Sequence, residues 1–528
     1  MTAVTDDRTA CELAARATHF TVADLFRRSA RVHADRLAVV SSQVELTYGE
    51  LDDRTNRLAA ALAAMGVARG DSLAVLATTR PEYIEVYFAA AKLGVTVVAL
   101  NIRLGADDLA HCLGITRPRM LFASPDLAAG AETIATLDTD IERTVWFPER
   151  EGDPASPYER LLAGAGPEAP EATVDAEDIH CILFTSGTTG RPKGAMISQR
   201  ASVMRAMRCA DWFGLGPDDG MIGWIPMFHT GGDECVKATF LTGGRFHTFE
   251  KADPVAMFAG IQRHRLTWTP LLPGVITDFM HHPDRTSYDL SSLRFALGYA
   301  NMMPRVVEEF TTALDAGFWD TYGQTESSFV VALDLVRPGE QASLRKRPAP
   351  LLDVRIVDAE MREVPVGVPG ECVVRGPSVM SGYVADPVAT AEAFRGGWLH
   401  TGDVLTRNED GTLTYVDRLK YLIKTGGENV YPAEVEQVIS GHPVVREACA
   451  ISVPDERWGE TIKAIVVTDP GAHLTPQEIR EWCRERLAGF KCPHYVEFIA
   501  DEEVPRSITG KILRHELEKR EVTAEQRA

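Results

Sequence analysis

The stretch from Leu183 to Met196 constrains this chain more than any other. It reads Leu-Phe-Thr-Ser-Gly-Thr-Thr-Gly-Arg-Pro-Lys-Gly-Ala-Met. An apolar lead-in (Cys181, Ile182, Leu183, Phe184) has the pattern of a short buried strand. It empties into a loop carrying Gly187, Gly190 and Gly194, the hydroxyls of Thr185, Ser186, Thr188 and Thr189, and the ammonium of Lys193. Glycine tolerates φ > 0, so several backbone N–H groups can turn into one concavity and meet phosphate oxygens. Hydroxyls add rotatable donors, and Lys193 adds compact positive charge. A flexible linker would have no use for the strand ahead of this loop or the Pro-Lys-Gly behind it. Nor is it a Walker loop, where the lysine is followed by Ser or Thr at the head of a helix. Lys193 stands between Pro192 and Gly194. The pattern is that of a polyphosphate site.

Length and charge narrow the rest. A chain of 528 residues exceeds one ordinary core, so at least two domains are expected. A net charge of −20 argues against a nucleic-acid partner but not against a nucleotide, since a local pocket can be positive on an acidic protein. Nine cysteines, odd in number, scattered and without C-x-x-C, predict neither a disulfide framework nor a zinc site and fit a reducing cytoplasm. The N-terminus lacks the basic and apolar regions of a signal peptide. The most apolar run, Val86 to Leu100, is interrupted by Lys92 and is too short to span a bilayer. A cytoplasmic protein is expected.

Up to about residue 170, helical and strand patterns alternate. Thr47-Tyr-Gly-Glu50 is a capping box, with Leu51, Leu58, Leu62 and Met65 on one helical face until Gly66. Leu73–Leu76 and Thr96–Leu100 read as strands, with a helix opened by Pro81 between them, which indicates a parallel sheet with helical crossovers. Residues 125–172, richer in Gly, Pro, Ala and acids, read as a surface excursion.

Thr-Ser-Gly-Thr-Thr-Gly-x-Pro-Lys-Gly resembles the signature of the adenylate-forming superfamily: acyl- and aryl-CoA ligases, luciferases and peptide-synthetase adenylation domains. Acyl-CoA synthetases and 4-coumarate-CoA ligase-like enzymes are the nearest resemblance. It covers nearly the whole chain and implies an α/β fold. A large N-terminal domain (1–418) of parallel-rich sheets flanked by helices, plus a β subdomain, would bind ATP and acid. A small mobile α+β domain (419–528) would follow a hinge near Lys420.

Later motifs keep the family order. Met221 to Gly232 reads as a strand ending at His229, beside which the resemblance places the acyl pocket with Trp224. Asp233 and Glu234 are unexpected for a fatty-acyl pocket. Two readings stay open: first-turn acids complementing a helix dipole, with Asp233 pairing Lys237, or a polar pocket reading a substrate amine or hydroxyl. Gly298-Tyr299-Ala300 matches the loop along the adenine, where Tyr299 replaces a small residue and favours a compact or aromatic acid over a long chain. Asp320-Thr-Tyr322-Gly323-Gln-Thr325-Glu326 contains the family's Tyr-Gly-x-Thr-Glu. Glu326 is expected to ligate Mg²⁺, Thr325 to donate to a phosphate, and Tyr322 to flank the adenine, with Asp320 and Gly323 alongside. Asp403 and Arg418 fall on ribose-binding positions, Gly426 and Gly427 on the pantetheine path, and Lys511 on the adenylation lysine. The implied reaction uses ATP, Mg²⁺ and coenzyme A to turn a small-molecule carboxylic acid into an acyl-adenylate and then a thioester. The alternative is a stand-alone adenylation enzyme serving a carrier protein or an unusual acceptor. A homodimer is left open.

Overall fold

The computed structural model describes residues 20–186, 191–299, 304–455, 457–506 and 512–528; of Ser186, Pro273, Tyr299 and Ala524 it describes the backbone alone. Three sheets organise them.

One sheet has six strands. Arg143–Trp146, Met120–Ala123, Ser72–Leu76, Thr96–Ala99 and Ile179–Ser186 lie side by side in parallel, and Pro192–Ser198 closes the edge antiparallel. The alternation of strand and helix in the sequence produces it, because parallel neighbours need crossovers. The helix Tyr48–Ala64 starts from the expected capping box, with Thr47 and Glu50 bonding reciprocally, and buries Leu51, Leu58 and Leu62. The helix Pro81–Leu93 is buried on every side, Lys92 included. That ammonium donates to Asp52, Thr55 and Asn56, and burial lowers its pKa to about 8. Residues 125–172 depart from the sequence expectation. They contribute the sheet's edge strand, Arg143–Trp146, and bury Val145, Phe147, Tyr158 and Leu162. Four residues of strand are too few to show a period.

The second sheet has thirteen strands. Its parallel half runs through Leu37–Val40, Arg245–Thr248, Gly220–Gly223, Trp268–Pro270, Phe295–Tyr299 and Gly317–Gln324. From there Ser328–Val336, Arg345–Pro348, Leu413–Arg418, Leu399–Arg407, Pro369–Arg375 and Asp353–Val357 continue antiparallel, and at the opposite edge Glu45–Thr47 pairs antiparallel with Leu37–Val40. The third sheet, with strands between residues 423 and 498, packs its own core of Ile423, Val435, Ile462, Ala464 and Val496. Thr475 and Glu478 cap a helix there as their spacing predicts. Among the described residues no helix is long and apolar enough to cross a membrane.

Candidate active site

The Ile179–Ser186 and Pro192–Ser198 strands pair so that Thr185 faces Lys193 and Phe184 faces Gly194. Gly187, Thr188, Thr189 and Gly190, between them, lie outside the described residues, as does the Ser186 side chain. Along the outer edge of this hairpin runs the segment 381–384. Val384 N–H donates to Gly194 O at 2.9 Å, and Met196 N–H donates to Gly382 O at 2.9 Å. A Cβ at Gly194 would stand 2.7 Å from Val384 Cγ1, so only glycine lets the segment lie this close. It brings Tyr383 under Lys193, whose ammonium is 5.3 Å from the ring centre.

Tyr383 then reaches the acidic turn. The strands Gly317–Gln324 and Ser328–Val336 form an antiparallel hairpin with Thr325, Glu326 and Ser327 at its turn. Glu326 Oε1 accepts from the Tyr383 hydroxyl at 2.9 Å and the Thr185 hydroxyl at 3.3 Å. Burial, and next the Glu326 charge, raise the phenol's pKa, so Tyr383 stays a donor. Among the described residues no cationic side chain pairs with Glu326. A hard carboxylate flanked by hydroxyls, with no ammonium or guanidinium neutralising it, suits Mg²⁺, which takes oxygen ligands and keeps its waters.

The second carboxylate is Asp403. Register sets Asp403 opposite Arg418 on neighbouring strands. Arg418 Nε is 3.0 Å from Asp403 Oδ1, and the Tyr322 hydroxyl donates to Oδ2 at 3.0 Å. Burial opposes the Arg418 charge, but Asp403 together with Tyr415, Tyr421 and Tyr322 outweighs it and raises the guanidinium's pKa. Arg418 also acts electrostatically on Tyr383. Tyr383 thus stands between the two groups: its hydroxyl bonds Glu326, and Arg418, the partner of Asp403, is within electrostatic reach of its ring.

Other expected residues have structural partners of their own. Asp320, expected at the nucleotide, is buried against Lys346 at 2.6 Å, spending its charge two strands away. Gly323 is required by its own hairpin: a Cβ there would lie 2.2 Å from Ser328 O. Gly298 takes the Thr321 hydroxyl on its carbonyl at 2.9 Å, while the Tyr299 side chain and Ala300 lie outside the described residues. Gly426 and Gly427, at φ +59° and +87°, form the two-residue turn between Ile423–Thr425 and Glu428–Val430, as a tight hairpin demands. Lys511 lies outside the described residues.

The strand expected to run to His229 stops at Gly223, six residues short, and the helix after His229 begins at Thr230. His229 is its N-cap, its Nδ1 accepting from Gly231 N–H at 3.2 Å. Burial pushes the imidazole down to about 4, so it is neutral near pH 7. Trp224 is buried and donates to Pro270 O at 2.7 Å. The polar-pocket reading of Asp233 and Glu234 does not match their surroundings. Asp233 holds Lys237 Nζ with both oxygens, at 2.6 and 2.7 Å. Glu234 pairs with Arg205 at 3.2 Å, and both are fully buried.

Sequence reasoning missed Tyr383 and Arg205 as site components. Tyr383 is 190 residues from Lys193 in the chain, and only the Gly382-Tyr383 pair hinted at a turn. Arg205 belongs to no motif, and its burial comes from packing alone.

A glycine-flanked hairpin, an acidic turn joined to it by Tyr383, and an Asp–Arg–Tyr cluster on a mixed α/β fold fit an adenylate-forming enzyme. The profile of the AMP-binding enzyme family matches residues 26–384, and that of the AMP-binding enzyme C-terminal domain matches residues 434–511. The chain belongs to the AMP-binding enzyme family. Feruloyl-CoA synthase from Amycolatopsis sp. is 38% identical over 93% of this chain and 97% of its own. Indoleacetate–CoA ligase from Aromatoleum aromaticum is 32% identical over 92% and 95%. Among solved structures, the amide bond synthetase McbA from Marinactinospora thermotolerans superposes with a TM-score of 0.84 at 29% identity, covering 94% of this chain and 99% of its own.

Proposed function

We propose that this protein is an ATP-dependent carboxylic acid–CoA ligase whose acid is compact and aromatic or polar-substituted, in preference to a long fatty acid. The observation that carries the reading is the run of contacts from Lys193 through Tyr383 to Glu326, with the Arg418–Asp403 pair as its companion. The substrate class draws support from the feruloyl and indoleacetate relatives. It also draws support from Asp233 and Glu234, which are neutralised internally and leave no carboxylate from those positions to greet an amine. A neutral His229 and a buried Trp224 fit an uncharged ring.

The acid's carboxylate attacks the α-phosphorus of ATP and expels pyrophosphate, giving an acyl-adenylate. The thiol of coenzyme A then attacks the activated carbonyl, and AMP leaves. Both first reactants are anions, so alignment and charge stabilisation dominate. Holding them in line is worth roughly 7–11 kcal/mol, and preset donors supply much of the remainder. Thr185, Thr325 and Lys193 meet phosphate oxygens, Asp403 and Arg418 hold the ribose, and Tyr322 flanks the adenine. Glu326 would hold Mg²⁺, which neutralises phosphate charge when bound. Lys511, arriving from the small C-terminal domain after the hinge at Lys420, reaches the bridging oxygen and the substrate carboxylate. The same domain then turns to offer Gly426 and Gly427 to pantetheine.

Pyrophosphate release from ferulate, indoleacetate and a long-chain fatty acid, with and without CoA, tests the proposal. Turnover with the aromatic acids that needs CoA for thioester release is expected; preference for the fatty acid would overturn the substrate class. The likeness to an amide bond synthetase favours one second reading, an acceptor other than CoA, which amine-dependent AMP release without CoA would reveal. Lys511→Ala should slow adenylation by about 10²-fold, the effect of losing one charge-stabilising donor, and spare thioester formation from supplied acyl-adenylate. Equal loss in both halves would count against the domain rotation.

A further inference from the structure

Arg205 and Glu234 are both fully buried, on the helices Gln199–Trp212 and Thr230–Thr242. A buried ion pair is weak grounds for stability, because desolvation offsets the attraction. What this pair touches is more telling. Arg205 Nε donates to Ser378 O at 2.8 Å, and Nη2 donates to Thr325 O at 3.0 Å and to Glu326 O at 3.5 Å. Glu234 accepts from the Ser328 hydroxyl at 2.6 Å and from Phe329 N–H at 3.2 Å, with Thr230 completing its shell at 2.8 Å. Every contact to the acidic turn goes to its backbone or to Ser328, never to the Glu326 carboxylate. Ser328 itself holds φ +109°, a left-handed conformation that serine adopts only under constraint. Met380 N–H fixes Glu326 O from another side at 2.8 Å.

We propose that Arg205 and Glu234 are positioning residues: they clamp the Thr325–Ser328 turn from beneath and so set the direction in which Glu326 offers its carboxylate to Mg²⁺. The inference rests on the reading of Glu326 as the metal ligand. It explains why a charged pair occupies this place. Three carbonyls converge from different directions, which suits the planar five-donor fork of arginine and neither lysine nor an apolar pair. The helix that carries Arg205 directly follows the phosphate hairpin in sequence, and the one that carries Glu234 starts from His229, so the clamp ties the metal turn to the phosphate site.

The test is Mn²⁺ binding to the full chain with α,β-methylene-ATP, read by electron paramagnetic resonance of free Mn²⁺, alongside thermal melting. Variants are Glu326→Gln, Arg205→Lys and Glu234→Gln. Arg205→Lys should melt cooperatively yet bind Mn²⁺ roughly 10–100-fold more weakly, the usual cost of a lost outer-sphere partner. Glu234→Gln, which keeps Oε1 as acceptor and can donate to the Ser328 hydroxyl, should weaken binding by less. Wild-type Mn²⁺ affinity in folded Arg205→Lys, with Glu326→Gln impaired, would overturn the clamp alone. Wild-type affinity in Glu326→Gln would overturn the metal assignment and the clamp with it. Should Arg205→Lys fail to melt cooperatively, Glu234→Gln decides: unchanged affinity there overturns the proposal.

Discussion

His229 carries its proton state in its surroundings. The unfolded chain takes up a proton near pH 6.5, while the folded imidazole, lowered by burial, does so only near pH 4. Its stabilising contribution is therefore present above pH 6.5 and is lost as pH falls from 6.5 toward 4. Asn caps a helix as well as any residue and does not titrate, so His229→Asn should flatten that part of the melting-temperature profile against wild type. An unchanged slope between pH 6.5 and 4 would show that the imidazole is already solvated. Asp403 makes a different point, since Arg418 and Tyr322 orient both its oxygens before any ligand arrives. Asp403→Asn should raise the ATP KM by about 10–100-fold, as expected of a charged hydrogen bond worth ~1.5–3 kcal/mol. Isothermal titration with ATP would check it, and tight binding by the variant would remove Asp403 from the ribose site.

At the scale of elements, two glycines separate packing from conformation. A Cβ at Gly323 would meet backbone atoms, Ser328 O at 2.2 Å and Phe329 C at 2.5 Å, which cannot swing away. Gly323→Ala should cost at least ~1–3 kcal/mol by overpacking and lower adenylation as well, because the same hairpin carries Glu326. Chemical denaturation and pyrophosphate release would show the two losses together; retained activity would mean the turn is held independently of its strands. At Gly427 a Cβ meets nothing within 4 Å, so only the positive φ resists substitution. Gly427→Ala should cost about 1–2 kcal/mol. If the turn lines the pantetheine path, the thioester half-reaction will fall well beyond that, with adenylation intact.

On the scale of the whole molecule, the third sheet joins the second through a short stretch. The strand Leu413–Arg418 runs into a 3₁₀ turn, Leu419–Tyr421, where Lys420 is exposed. Asp417 crosses the junction, accepting from Ala433 N–H at 2.7 Å. Proline fits a 3₁₀ φ and forbids much change in it. Lys420→Pro should therefore keep one half-reaction and slow the other; equal rates in both, measured separately with acyl-adenylate as intermediate, would place the pivot elsewhere. Much of this architecture was legible in the chain. Capping boxes at Thr47 and Thr475, apolar runs at 73–76 and 96–100, and the Gly-rich hairpin all act through neighbours a few residues away, and local spacing records them. The pairing of Asp320 with Lys346 was not legible, because motif order says nothing about which side of a strand a residue serves.

By itself, then, the sequence determined the class of chemistry and the alternating sheet, and it singled out Lys193, Glu326, Asp403 and Arg418 as candidates, since glycines, turns and helix caps are local. Only the tertiary structure decided that Tyr383 bridges the phosphate hairpin to Glu326 and that Asp233 and Glu234 face inward. Whether a carboxylate meets a substrate or a buried guanidinium depends on what a distant helix places beside it. Desolvation and pairing arise only once those segments pack.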